Sequence, residues 1–124
     1  MPRVIHFEIA VDDTDRATEF YSKVFGWKIN KWDGPLEYWL VSTNGGKEHG
    51  IDGAIMKRED PNTSTINTID VPNVLDFMDS VKKNGGTVLT KKMTVPGVGY
   101  FAYCKDTEGN TFGIMEEDES AEQK

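Results

Sequence analysis

The sequence predicts an α+β fold built from two βαβββ modules that form a curved, half-open eight-stranded sheet. Three observations carry that expectation. The two halves of the 124-residue chain repeat at an offset near sixty, each half opens with a strand followed by an amphipathic helix, and each helix is followed by three strand-like runs separated by turn residues. The repeat is visible in single positions. Ile9 and Val11 fall on Ile69 and Val71, Gly26 on Gly86, Tyr38-Trp39 on Tyr100-Phe101, and Ala54-Ile55-Met56 on Gly113-Ile114-Met115. The modules are placed at about 3–60 and 64–118. They are followed by an acidic tail, 119–124, that loses its apolar pattern and is expected to fray.

The first strand is His6-Phe7-Glu8-Ile9-Ala10-Val11. Asp13 then caps a helix whose apolar positions Ala17, Phe20, Tyr21, Val24 and Phe25 recur at helical spacing, with Gly26 as its stop. Three strands follow at about 27–33, 36–43 and 50–57, divided by Asp33-Gly34-Pro35 and Asn44-Gly45-Gly46. The second module begins with Ile66-Asn67-Thr68-Ile69-Asp70-Val71. Asn73 caps a helix carrying Val74, Phe77, Met78 and Val81 on one stripe. Lys82 and Lys83 suit its C-terminal dipole, and Asn84-Gly85-Gly86 ends it. Its later strands are placed at about 86–95, 98–105 and 111–117. The segment Met93–Gly99 reads as a hairpin turn ahead of a lid. One helix covers one face of a four-stranded sheet, so the other face must find a partner or a ligand.

Composition narrows the function. Hydrophobic residues are 37% and charged residues 28%, a globular balance. The net charge of −7 and a pI near 4.8 argue against nucleic acid, because phosphate neutralisation needs a basic surface. Much of that acidity is local: Glu116 to Lys124 hold five acids and one lysine, net −4, leaving −3 on residues 1–115. No apolar run approaches the roughly 20 residues that span a bilayer. The single cysteine, Cys104, forms no internal disulfide, and a cytoplasmic location is expected. Cys104 reads as a buried structural residue, and His49 as exposed.

Two stretches in combination resemble the vicinal oxygen chelate superfamily, which contains glyoxalase I, bleomycin-resistance proteins and extradiol dioxygenases. One is the strand ending in Asp12-Asp13 with the helix Phe20-Tyr21-Ser22-Lys23-Val24-Phe25-Gly26-Trp27. The other is Asp106-Thr107-Glu108-Gly109-Asn110-Thr111-Phe112-Gly113. The resemblance implies paired βαβββ modules, closed within one chain or across a homodimer. It also implies a divalent-metal site with one ligand on the first and last strand of each module. By alignment those positions are His6, Ala54, Ile66 and Gly113. Only His6 is a donor, so the family's metal is disfavoured and no cofactor is expected.

Strand alternation then defines a ligand-binding face. If Phe7, Ile9 and Val11 pack under the helix, His6, Glu8 and Ala10 point to the open side, as do Ile66, Thr68 and Asp70 in the second module. Ala54 and Met56, with Gly113 and Met115, share that side. The mixture suits a small organic ligand. His6 and Glu8 are the candidate catalytic pair: His6 as base, with Glu8 or Asp70 in support, for lyase, isomerase or dioxygenase-type chemistry. The plainer alternative is a strand histidine hydrogen-bonded to Glu8 or to backbone. Trp27, Trp32, Trp39 and Tyr38 read as core or subunit-contact aromatics, of which one or two wall the pocket.

Overall fold

A computed structural model describes residues 2–43 and 49–122. The fold class agrees with the expectation, and each helix sits where its capping residues place it. The chain divides into two compact units, residues 6–66 and residues 67–124 together with the N-terminal segment through Ile5. The units divide between Ile66 and Asn67, after the expected junction near 60–64, and the first few residues cluster with the second unit. The backbone N–H of Asp70 donates to the Arg3 carbonyl at 2.9 Å.

In the first unit, β1 (Val4–Val11) leads into α1 (Thr14–Phe25), then β2 (Lys28–Lys31), β3 (Tyr38–Ser42) and β4 (Gly53–Lys57). The strand order is β2-β3-β4-β1, with β4 returning parallel to β1 and the other neighbours antiparallel. The Asp13 carboxylate accepts from the Arg16 N–H at 3.0 Å, and Gly26 closes α1 at φ 73°, a left-handed conformation that glycine adopts without strain. The α1 stripe is less buried than expected. Tyr21 stacks on Trp27 at 5.0 Å, and Trp27 covers Phe7, while Phe20, Val24 and Phe25 remain 55%, 55% and 58% exposed. The stripe is wider than the strip of sheet that one helix covers, so its outer flank stays outside. Residues 44–48 of the expected loop lie outside the described residues; His49 is exposed, as expected.

β5 (Thr65–Asp70), whose first two residues still belong to the first unit, leads into α2 (Val74–Lys83), then β6 (Thr87–Val88), β7 (Met93–Val95), β8 (Gly99–Lys105) and β9 (Thr111–Glu117) of the second. The order is β5-β9-β8-β6, with β7 also on β8 and β9 parallel to β5, repeating the first unit's pattern. The expected single strand at 86–95 is instead two short strands. Leu89 and Thr90 both bond Tyr103, and the chain leaves the ladder before β7 rejoins it. Val95-Pro96-Gly97-Val98 is a tight turn: proline leads, Gly97 has φ 76°, and Val98 N–H donates to the Val95 carbonyl. The hairpin reading of this segment thus holds.

α2 packs well. Asn73 accepts from the Asp76 N–H, Glu116 Oε1 accepts from the Val74 N–H, and Gly85 and Gly86 donate back to Lys82 and Val81 to finish the helix. Its apolar side rests on a core of Val71, Val74, Ala102, Cys104 and Ile114. The tail is held further than composition suggests. Ala121 is 2% exposed, and its carbonyl accepts from the Gly97 N–H at 3.0 Å. Residues 123–124 lie outside the described residues.

Candidate functional site

The registers decide which side chains share a face. In the first unit Glu8, Ala54 and Leu40 form one cross-strand row, and Ala10, Met56 and Tyr38 form the next. Phe7, Gly53 and Val41 lie on the other face, the one that carries α1. Gly53 is required there, because a Cβ would come within 2.6 Å of the Phe7 ring. The face opposite α1 therefore carries His6, Glu8, Ala54 and Met56 together, as the alternation requires, with Glu8 and Ala54 buried and His6 and Met56 partly exposed.

The centre of that face is a short hydrogen-bond chain. Tyr38 donates its hydroxyl to Glu8 Oε2 at 2.7 Å, and His6 Nε2 lies 3.0 Å from the same hydroxyl. The Tyr38 side chain crosses diagonally from its own row to reach both. Ala10 and Ala54, in the two rows, have no side chain beyond Cβ to obstruct it. Glu8 is 4% exposed, so its carboxylate depends on such partners. Burial pushes the His6 imidazole below its ordinary 6.5, more strongly than the negative charges of Glu8 and Asp52 raise it. His6 is therefore neutral at physiological pH. Trp32 stands edge-on to the Tyr38 ring at 5.9 Å and walls the site.

Tyr38 belongs to the aromatics expected to serve the core, a subunit contact or the pocket wall, and its hydrogen bonds set it apart within that group. Its membership of the site follows from the β3–β4 register, which alternation within a single strand does not supply.

In the second unit, Thr68, Gly113 and Tyr103 form one open-face row, and Asp70, Met115 and Phe101 the next. Phe101 meets Tyr103 edge-to-face at 4.6 Å. It also lies over Gly113, where an added Cβ would come within 2.6 Å of its ring. Thr68 is 2% exposed, and its hydroxyl has no hydrogen-bond partner among the described residues. Asp70 borders a surface hollow of about 360 Å³ with Pro2, Phe77 and Glu116. Ile66 is buried. Cys104 is also buried, and burial pushes its thiol up, consistent with the structural role expected for it.

The metal question can be put to these side chains. Among the described residues, no three His, Cys, Asp or Glu groups converge to hold an ion. Ala54 and Ile66 offer no donor. Gly113 cannot be exchanged for a carboxylate without displacing Phe101. His6 Nε2 is already engaged with Tyr38. The residues present do not fit the superfamily's ligand set.

Repeated βαβββ modules define the fold class of this chain. Residues 3–44 match the bleomycin resistance protein-like N-terminal family. A glyoxylase-like domain-containing protein from Didymella fabae is 33% identical over 112 residues, covering 86% of this chain and 88% of that protein. The chain belongs to the glyoxalase/bleomycin-resistance/dioxygenase superfamily. Solved structures agree on the fold. Methylmalonyl-CoA epimerase from Mycobacterium tuberculosis superposes with a TM-score of 0.69 at 14% identity, covering 93% of this chain and 87% of that one. A superfamily member from Vibrio splendidus gives 0.66 at 15% identity, covering 95% and 100%. At such identities the likeness is one of fold, and chemistry must be argued from the site.

Proposed function

We propose that this protein binds a small organic molecule on the open sheet faces of its modules, centred on His6, and does so without the divalent metal that its resemblance to the vicinal oxygen chelate superfamily implies. The observation that carries the reading is the engagement of His6 with Tyr38 and Glu8. The one donor left at the four superfamily positions is built into a protein hydrogen-bond chain instead of being held ready for an ion. The blocked position at Gly113 supports the same reading. Elemental analysis of purified protein, followed by titration with Zn²⁺, Ni²⁺, Mn²⁺ and Fe²⁺, should show no stoichiometric binding. A tight one-to-one complex that confers lyase or dioxygenase turnover would overturn it. Ligand screening starts from compounds that the names of similar proteins supply: methylmalonyl-CoA, bound in one structural relative, and bleomycin.

The second reading is an enzyme of lyase, isomerase or dioxygenase type using His6 with Glu8. The hydrogen-bonded chain favours it, since a neutral imidazole linked to a buried carboxylate is arranged as a base. Asp70 is the weaker partner, because no hydrogen bond of its side chain among the described residues supports a role. If this reading holds, His6→Ala abolishes turnover with the fold intact. A homodimer is the assembly we favour, on the half-exposed Phe20, Val24 and Phe25 of α1. Sedimentation showing a stable monomer at micromolar concentration would reject it. Among the described residues no helix is long and apolar enough to cross a membrane; that and the single cysteine support a cytoplasmic site of action.

A further inference from the structure

The chain of bonds on the first unit's open face orders protons as well as heavy atoms. Tyr38 has one hydroxyl proton, and the 2.7 Å bond delivers it to Glu8 Oε2, a carboxylate oxygen that accepts and does not donate. The hydroxyl oxygen then presents only lone pairs to His6 Nε2, 3.0 Å away. Two acceptors form no hydrogen bond, so the proton between them resides on Nε2. A neutral imidazole carries a single ring proton, which leaves Nδ1 bare. Nδ1 has no hydrogen-bond partner among the described residues.

We propose that Tyr38 is a positioning residue that locks His6 in its Nε2–H tautomer, making Nδ1 the proton acceptor of the site and selecting ligands that present an O–H or N–H group to it. This rests on the reading of that face as a ligand site. The surrounding charges point the same way. The groups that act on His6 are Glu8 on its own strand and Asp52 just before β4, both negative. Asp52 Oδ1 is occupied by the backbone N–H and hydroxyl of Thr43. Among the described residues Tyr38, on β3, is a further titratable group at this face, and its proton is directed at Glu8. A ligand carboxylate has no proton to give a bare Nδ1, whereas a neutral O–H or N–H donor meets an acceptor there.

The test is nitrogen NMR of histidine-labelled protein, in which His6 and the exposed His49 are the only two imidazoles. In the wild type at neutral pH, His6 should show a protonated Nε2 and a bare Nδ1. Its ring N–H should exchange slowly enough to be observed, while the His49 ring proton is lost to solvent. In Tyr38→Phe the slow N–H should disappear and His6 should relax to a tautomer mixture, with the backbone amide spectrum reporting that the fold persists. A proton on Nδ1 in the wild type overturns the assignment without any variant. An unchanged His6 pattern in Tyr38→Phe overturns the role of Tyr38. Phenol and benzoate then serve as matched probes: phenol should shift the Nδ1 resonance and benzoate should not. A preference for benzoate overturns the selectivity. Failure of both to bind, with the tautomer intact, overturns the ligand-site reading and leaves the Tyr38 assignment standing.

Discussion

Thr68 and His6 show what burial, nearly complete in the first and partial in the second, does to a polar side chain. The Thr68 hydroxyl is enclosed without a partner among the described residues, a state that costs about 1–3 kcal/mol. Thr68→Val keeps the shape and removes the orphan, so it should stabilise the fold by roughly 1 kcal/mol in urea unfolding. A loss of stability would mean that the hydroxyl has a partner in solution. His6 gives a pH signature with a defined sign. Its folded-state pKa lies below 6.5, because burial penalises the imidazolium. Above 6.5 the imidazole is neutral in both folded and unfolded chains and contributes nothing to the pH dependence. As pH falls through 6.5 toward the folded value, the unfolded chain takes up the proton first, and stability drops. His6→Gln should flatten that part of the profile relative to the wild type when unfolding is followed between pH 7.5 and 5. A parallel pair of curves would place the loss on other groups.

At the scale of elements, much of the structure is legible in local chemistry. Asp13 and Asn73 cap the two helices, and glycine stands in the turn that ends each. The alternation of β1 put His6 and Glu8 on the open face, and Phe7 proved to face α1. Two element-level expectations needed correction for reasons local pattern does not contain. The α1 stripe is apolar over a wider arc than the sheet covers. The 86–95 run is interrupted by a bulge: between the Val88–Cys104 and Met93–Phe101 pairs, four residues of this run face two of β8. Glycine at position 53 is likewise a requirement of packing, since its φ is unexceptional and the constraint is the Phe7 ring and carbonyl on the neighbouring strand. Gly53→Ala should therefore destabilise by about 1–3 kcal/mol through overpacking, read from the shift in the urea midpoint at unchanged slope. A neutral result would show that β1 gives way.

At the scale of the whole chain, the division into two units does not fall at a single cut. The N-terminal segment through Ile5 clusters with residues 67–124, where the Arg3 carbonyl receives the Asp70 N–H. At the opposite end Ala121 is buried and bonded to Gly97. Deleting residues 118–124 should therefore lower the melting temperature by several degrees, as expected for roughly 1 kcal/mol in a domain of this size. An unchanged melting temperature would return these residues to the frayed tail that their composition suggests. The net charge of −4 carried by residues 116–124 thus belongs to a segment that is in part folded against the domain.

The sequence by itself determined the repeat, the fold class, the helix caps and the strand parity that sets His6 and Glu8 on one face. All of these follow from periodicities and turn residues that act over a few positions. It also determined that Ala54, Ile66 and Gly113 carry no metal donor. Only the tertiary structure decided that Tyr38 joins His6 to Glu8, that Phe101 fills the space beside Gly113, and that Thr68 is buried with an unmet hydroxyl. Those facts depend on cross-strand register, which joins residues from twelve to more than thirty positions apart and leaves no local pattern in either strand.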